Sequence, residues 1–174
     1  MLNRLRHLPF LVAVGIQAIL LAMLPSSAYK VREVGVTVFL KVGPMDPYDV
    51  LSGYYVILDY EIARPAALAI TPDLVQGQQV FVMIRDRPDG SWHATRVLTE
   101  KPEVAATGEL VLRADYMAER FQFGIESYFI PEEVRDEVEA NLRAHPDDAL
   151  AEVRVDPASG KTAIVGLHIA GRSY

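Results

Sequence analysis

Any chemistry in this chain has to come from carboxylates, tyrosines, histidines or hydroxyls, because its 174 residues include no cysteine. Thiolate catalysis, disulfides and Cys-based metal or iron–sulfur sites are thereby excluded. Candidate groups are densest in GPMDPYDVLSGYYVILDYEI, Gly43 to Ile62, where Asp46, Asp49, Asp59 and Glu61 stand among Tyr48, Tyr54, Tyr55 and Tyr60. Such carboxylates could do acid–base work or hold a cation. A calcium loop, however, wants more oxygen ligands at closer spacing. Short Asp side chains in a Pro-punctuated loop also accept nearby backbone N–H groups, which accounts for Asp46 and Asp49 without catalysis. Asp59 and Glu61 alternate with Leu58 and Tyr60, and are expected on the solvated face of a strand.

The four histidines, His7, His93, His145 and His168, are scattered and form no close-spaced ligand pair. They read as structural or surface residues. There is no Gly-rich phosphate loop, no G-x-S-x-G elbow and no H-E-x-x-H. No catalytic residue, metal ligand or cofactor is assigned. The tyrosines read as bulk for a half-buried sheet, with hydroxyls able to pin a neighbouring loop. Net charge is −6, and −8 once Arg4 and Arg6 are set aside, so no basic footprint for nucleic acid exists.

The elements that would position these groups divide in two. Residues 1–28 begin with Arg4 and Arg6 and continue as an apolar run from Leu8 to Leu24, interrupted by Gln17. Its seventeen residues would span roughly 25 Å as a helix, and the extension through Pro25 to Ala28 brings it to a hydrocarbon core of about 30 Å. A transmembrane helix in contact with lipid through residues 8–28 is the expectation. Ser26 and Ala28 also satisfy the small-residue rule for leader cleavage after Ala28. The long run with Pro9 and Gly15 favours an uncleaved signal-anchor. The basic N-terminus places it in the cytoplasm, making this a single-pass inner-membrane protein with a periplasmic or other extracytoplasmic domain.

Residues 29–174 read as that domain, and as mainly β. From Val31 the period becomes two, with Val34, Val36, Val38, Leu40 and Val42 on one face. GYYVILDYEI alternates Tyr54, Val56, Leu58, Tyr60 and Ile62 against Tyr55, Asp59 and Glu61. QVFVMIRD and SWHATRVLT flank RPDG, where Pro88 and Gly90 suit a β-turn. GELVLRADY and ERFQFGIESYFI read as two more strands, the second with Phe121, Phe123, Ile125 and Phe129 on one side. PEEVRDEVEANLRAHP is a helix, with Val134, Val138 and Leu142 as its apolar stripe and Pro146 as its stop. LAEVRVD and KTAIVGLHIAG form a closing hairpin, and Arg64 to Gly77 is a loop or helical turn. The expected body is a small antiparallel β barrel or folded sheet of about eight strands with one packed α-helix.

The segment PMDPYDVLSGYYVILDYEI resembles the signature of the GDYXXLXY proteins, a group of membrane-anchored bacterial proteins. Pro44, Asp46 and Pro47 match the family's PxDP loop, and Gly53, Tyr55, Leu58 and Tyr60 match its core; Tyr54 stands where the family has aspartate. FGIESYFIPEE, the acidic helix and VRVDPASGKTAIVGLHI look like later blocks of the same family. The resemblance implies an anchor and an extracytoplasmic domain, and carries no catalytic residue. MDPYDVLSGYYVIL is also similar to a segment of type I signal peptidases. Pro44 stands where those enzymes place their serine, and no lysine lies between Lys41 and Lys101.

The reading is therefore a non-enzymatic, membrane-anchored extracytoplasmic domain, an accessory or scaffold subunit that binds a membrane-protein partner or complex. In it the Pro-Asp loop turns the chain, Gly53 admits the tight turn, and Leu58 and Tyr60 hold the strand in the core. The alternative is a degenerate or unrecognised hydrolase-like domain, with Asp46, Asp49 and Asp59 as acid–base or metal groups. A small-ligand binder with an apolar cavity between sheet and helix is a third.

Overall fold

Alternating apolar residues build most of the body. The structure, a computed structural model, describes residues 8–23, 31–42, 51–52, 55–64, 69–70, 74–103 and 105–174. Helix α1 is Leu8–Met23 and α2 is Arg135–Ala144. The strands are β1 Val36–Lys41, β2 Leu51–Ser52, β3 Tyr55–Ile57, β4 Ala69–Ile70, β5 Gln78–Asp86, β6 Ser91–Leu98, β7 Glu109–Met117, β8 Arg120–Gln122, β9 Ser127–Phe129, β10 Ala149–Val155, β11 Thr162–Ile169 and β12 Arg172–Ser173.

The main sheet runs β12-β11-β10-β1-β6-β5-β7-β8, with β4 added against β6, and a second small sheet runs β2-β3-β9. The body is thus mainly β, as its period-two patterning demands, but it is an open, curled sheet and not a closed barrel. Nor is it wholly antiparallel. β1 pairs antiparallel with β10 and parallel with β6, where Phe39 faces Ser91 and Leu40 faces Trp92. The reason is topological: β1 lies between the β5–β6 and β10–β11 hairpins, and its two neighbours run in opposite directions. Alternation reports which face is buried and says nothing about the direction of a neighbour.

Both expected hairpins form. Around Arg87 to Gly90 the Gly90 N–H donates to the Arg87 carbonyl at 2.9 Å, closing the turn between β5 and β6. Asp89 accepts from the backbone and hydroxyl of Ser91 at 2.9 and 2.6 Å. These bonds and Lys41, 3.0 Å away, hold its carboxyl well below the usual range. The β10–β11 pair carries a bulge: Glu152 faces Gly166 but Val153 faces Ile164, leaving Val165 as the extra residue.

Three elements depart from the alternation. Residues 31–34 are a helical turn, so the buried face of the first strand starts at Val38, while Val34 and Val36 are exposed. Gly35 ends that turn, its N–H on the Val31 carbonyl at 3.0 Å, where an added Cβ would lie 2.5 Å from the same oxygen. ERFQFGIESYFI is split at Gly124, which has φ +77, into β8 in the main sheet and β9 in the small one. Phe121, Phe123 and Ile125 remain inside, but Phe129 is exposed and Ile130 is buried in its place. The strand expected through Ile62 ends at Ile57, after which Tyr60 makes a lone bridge to Val42 and Glu61–Ala63 is a 3-10 turn. Of the ambiguous stretch from Arg64, the described part includes β4, parallel to β6 at Ala69 and Ile70.

α2 packs on the sheet as its stripe requires: Val138 is fully buried, and Val134 and Leu142 are half-buried against the core. Asp136 and Glu137 sit in its first turn and Arg143 in its last, each suited to the helix dipole. α1 is 16 residues with no charged side chain in its first or last turn, about 24 Å long at 1.5 Å per residue. Of the spanning helix expected over residues 8–28, residues 24–28 lie outside the described residues; among the described residues, no helix is long and apolar enough to cross a membrane. Phe10, Val12, Val14, Ile16 and Ile19 are all exposed, so apolar side chains on several sides of α1 are left uncovered among the described residues, with Gln17 the polar one between them.

Candidate functional site

The tyrosine-rich segment is held by its even-numbered residues. Val56, Leu58, Tyr60 and Ile62 are all buried, Tyr60 completely. The Leu58 N–H donates to the Glu126 carbonyl at 2.7 Å, and the Tyr60 hydroxyl donates to the Ile125 carbonyl at 2.8 Å. Two adjacent carbonyls, more than sixty residues along the chain, are thus taken by Leu58 and Tyr60. Burial, and secondarily the charge of Glu126, push the Tyr60 phenol far above its ordinary value. It stays protonated and acts as a permanent donor that pins residues 125–126 to the segment.

Of the carboxylates between these residues, Glu61 is exposed as expected, whereas Asp59 is not. The Asp59 side chain is only 12% exposed: Oδ2 accepts from Arg64 at 2.7 Å, and Oδ1 is taken by Arg120. Burial of its neighbours draws Asp59 against the body, and the two guanidiniums neutralise it there. Glu61 accepts both arms of Arg87, at 2.8 and 3.3 Å. That bidentate contact is the main reason its carboxyl is held low, with the charges of Arg87, Lys41 and His93 adding to it. Groups clamped in this way are anchors. Pro44, Asp46, Pro47, Asp49, Gly53 and Tyr54 lie outside the described residues.

Tyr55 faces the other way. It is exposed and lies opposite Phe129 across the β3–β9 pair, their rings edge-to-face with centroids 5.8 Å apart. Together with Arg32, Ser127, Tyr128, Ile164 and Val165 they line a groove of about 430 Å³.

A family model for the GDYXXLXY proteins matches residues 17–167 of the chain. The chain belongs to that family. No curated protein and no solved structure matches it. The likeness to type I signal peptidases therefore rests on its short segment alone. Within the GDYXXLXY signature, the structure gives Leu58 and Tyr60 to the core and Tyr55 to the surface, so neighbouring motif positions have different physical tasks.

Two polar clusters were invisible in the sequence. Glu109, with a side chain only 3% exposed, accepts from Arg85 at 2.7 Å and Arg96 at 3.0 Å, tying β5, β6 and β7 together. At the other end of the sheet, His168 Nε2 lies 3.0 Å from Glu152 Oε2, and its Nδ1 lies 2.9 Å from Ser173 Oγ. Hydroxyl, imidazole and carboxylate are connected in series as in a hydrolytic triad, but with the two ring nitrogens exchanged: Nδ1 meets the serine and Nε2 the carboxylate. The three come from β10, β11 and β12, brought together only by sheet pairing, and no local spacing could have announced them. Among the described residues, no group of three or more His, Asp or Glu could hold a metal ion.

Proposed function

We propose that this chain is a membrane-anchored, extracytoplasmic and non-enzymatic β domain that serves as an accessory subunit of a membrane complex. The observation that carries the reading is α1, an uncharged helix whose apolar side chains Phe10, Val12, Val14, Ile16 and Ile19 are exposed. Such a surface is stable in lipid or against the helices of a partner, and Leu24 to Ala28 continue the sequence toward a full span. The basic Arg4 and Arg6 before it favour a cytoplasmic N-terminus, with the β body on the opposite side. The clamped carboxylates Asp59 and Glu61 support structural anchoring over acid–base work at the motif.

The test is extraction from native membranes in mild detergent, followed by native mass measurement and identification of co-migrating chains. A reproducible stoichiometric complex retaining residues 1–28 is the expected result. A lone monomer cleaved after Ala28 would overturn the reading.

One observation favours the hydrolase-like alternative, namely the Ser173–His168–Glu152 connection. Asp59, the described carboxylate of that alternative, is held by Arg64 and Arg120 and is a poor acid–base group. The triad-like set lies half-exposed on a sheet face, where water screens the electrostatic stabilisation that acyl transfer needs.

A further inference from the structure

We infer that the groove between β9 and β11 is the docking site for an extended, carboxylate-bearing segment of a partner protein, which pairs along an open sheet edge. This rests on the accessory-subunit reading and specifies the chemistry of its partner.

One wall of the groove is a strand edge, that of β11. β9, which forms the other wall, pairs with β3. β11 pairs with β10 along its length, but β12 covers it only at His168 and Ile169, leaving residues 162–166 with a strand neighbour on one side among the described residues. An uncovered edge is a template for a further strand, and folded proteins ordinarily blunt it with charge or cover it. Here it is apolar. Tyr55, Phe129 and Val165 are exposed beside it, with Ile164 at its floor. The β10–β11 bulge is what makes Val165 the extra residue of its strand, and bulges of this kind re-aim a side chain or end pairing.

Charge selects the occupant. Among the described residues lining the groove, Arg32 is the only charged one, and it has no ion pair with any described residue. On a chain of net charge −6, a groove with one unpaired cation and no lining carboxylate favours an anionic segment and disfavours a basic one. Main-chain pairing supplies affinity in this mode of recognition, and the pockets for alternate side chains supply specificity. A volume of about 430 Å³ would also admit a small ligand, but the one-sided stretch of β11 along its wall fits a peptide backbone better.

The probe is a displayed library of random twelve-residue peptides, selected on the full chain in detergent micelles. Selection is repeated on Arg32→Glu and on Val165→Lys, each checked for unchanged circular dichroism. The expected result is enrichment of peptides that alternate apolar residues and carry Asp or Glu, with amide shifts confined to β9 and β11. Arg32→Glu should weaken a selected peptide roughly ten-fold and turn the preference toward Lys and Arg. Val165→Lys should abolish enrichment. No enriched class, a class indifferent to Arg32→Glu, or shifts elsewhere would each overturn the groove assignment. Native complexes formed by wild type, Arg32→Glu and Val165→Lys keep the two claims apart. An intact complex in the variants with no peptide selection refutes the groove alone, whereas no complex in wild type refutes the accessory-subunit reading.

Discussion

Removing the Tyr60 hydroxyl with Tyr60→Phe isolates the bond that ties the family motif to the body. The ring stays, so no cavity opens; what is lost is the 2.8 Å donor to the Ile125 carbonyl, in a place where Tyr60 has no solvent exposure. A buried acceptor left without its donor costs about 1–3 kcal/mol. With a urea m-value of about 2 kcal/mol per molar, the midpoint should fall by roughly 0.5–1.5 M. The assay is urea unfolding of the full chain in mild detergent, followed by Trp92 fluorescence. The pH dependence provides a second, independent readout. The folded-state pKa of Tyr60 is raised, so the folded chain holds the phenolic proton more tightly than the unfolded one. Its contribution is therefore complete below the unfolded value of about 10 and is lost as pH climbs beyond it, at about 1.4 kcal/mol per pH unit. The gap between parent and variant should be constant at neutral pH and narrow above pH of about 10. A Tyr60→Phe midpoint within about 0.2 M of the parent, with no change in the alkaline limb, would refute the claim that this hydroxyl pins the segment.

Glu109→Gln should destabilise by about 1–3 kcal/mol, because two guanidiniums lose their shared counter-charge; their half exposure keeps the loss below that of a fully buried pair. Thermal melting of the variant against Arg85→Gln and Arg96→Gln checks this, and strictly additive losses would deny that the three act as one unit. An active-site-directed fluorophosphonate should leave Ser173 unlabelled under the accessory-subunit reading. Stoichiometric labelling that disappears in His168→Ala would establish an activated nucleophile and revive the hydrolase-like alternative.

How much was legible in advance differs from one residue to the next. Val38, Leu40, Leu58 and Tyr60 announced their burial by alternation, because a strand with one covered face must place every second side chain inside. α2 announced itself by its Val134, Val138 and Leu142 stripe, and the β5–β6 hairpin by Pro88 and Gly90. Each of these rests on interactions within a few residues. The open curl of the sheet, the parallel β1–β6 contact and the break at Gly124 do not, since they depend on which distant strand supplies the neighbour. The same holds for the polar groups. Asp59 reads as solvated until Arg120 arrives from β8, and Ser173, His168 and Glu152 share nothing until three strands are laid side by side. Composition and periodicity by themselves determined an apolar N-terminal helix, a β-rich acidic body and the absence of thiol chemistry. Tertiary structure alone decided which carboxylates are neutralised, which tyrosine faces outward, and where a stretch of β11 has a strand neighbour on one side only among the described residues. Side-chain period is a property of one strand, but pairing and charge neutralisation are properties of the strands beside it.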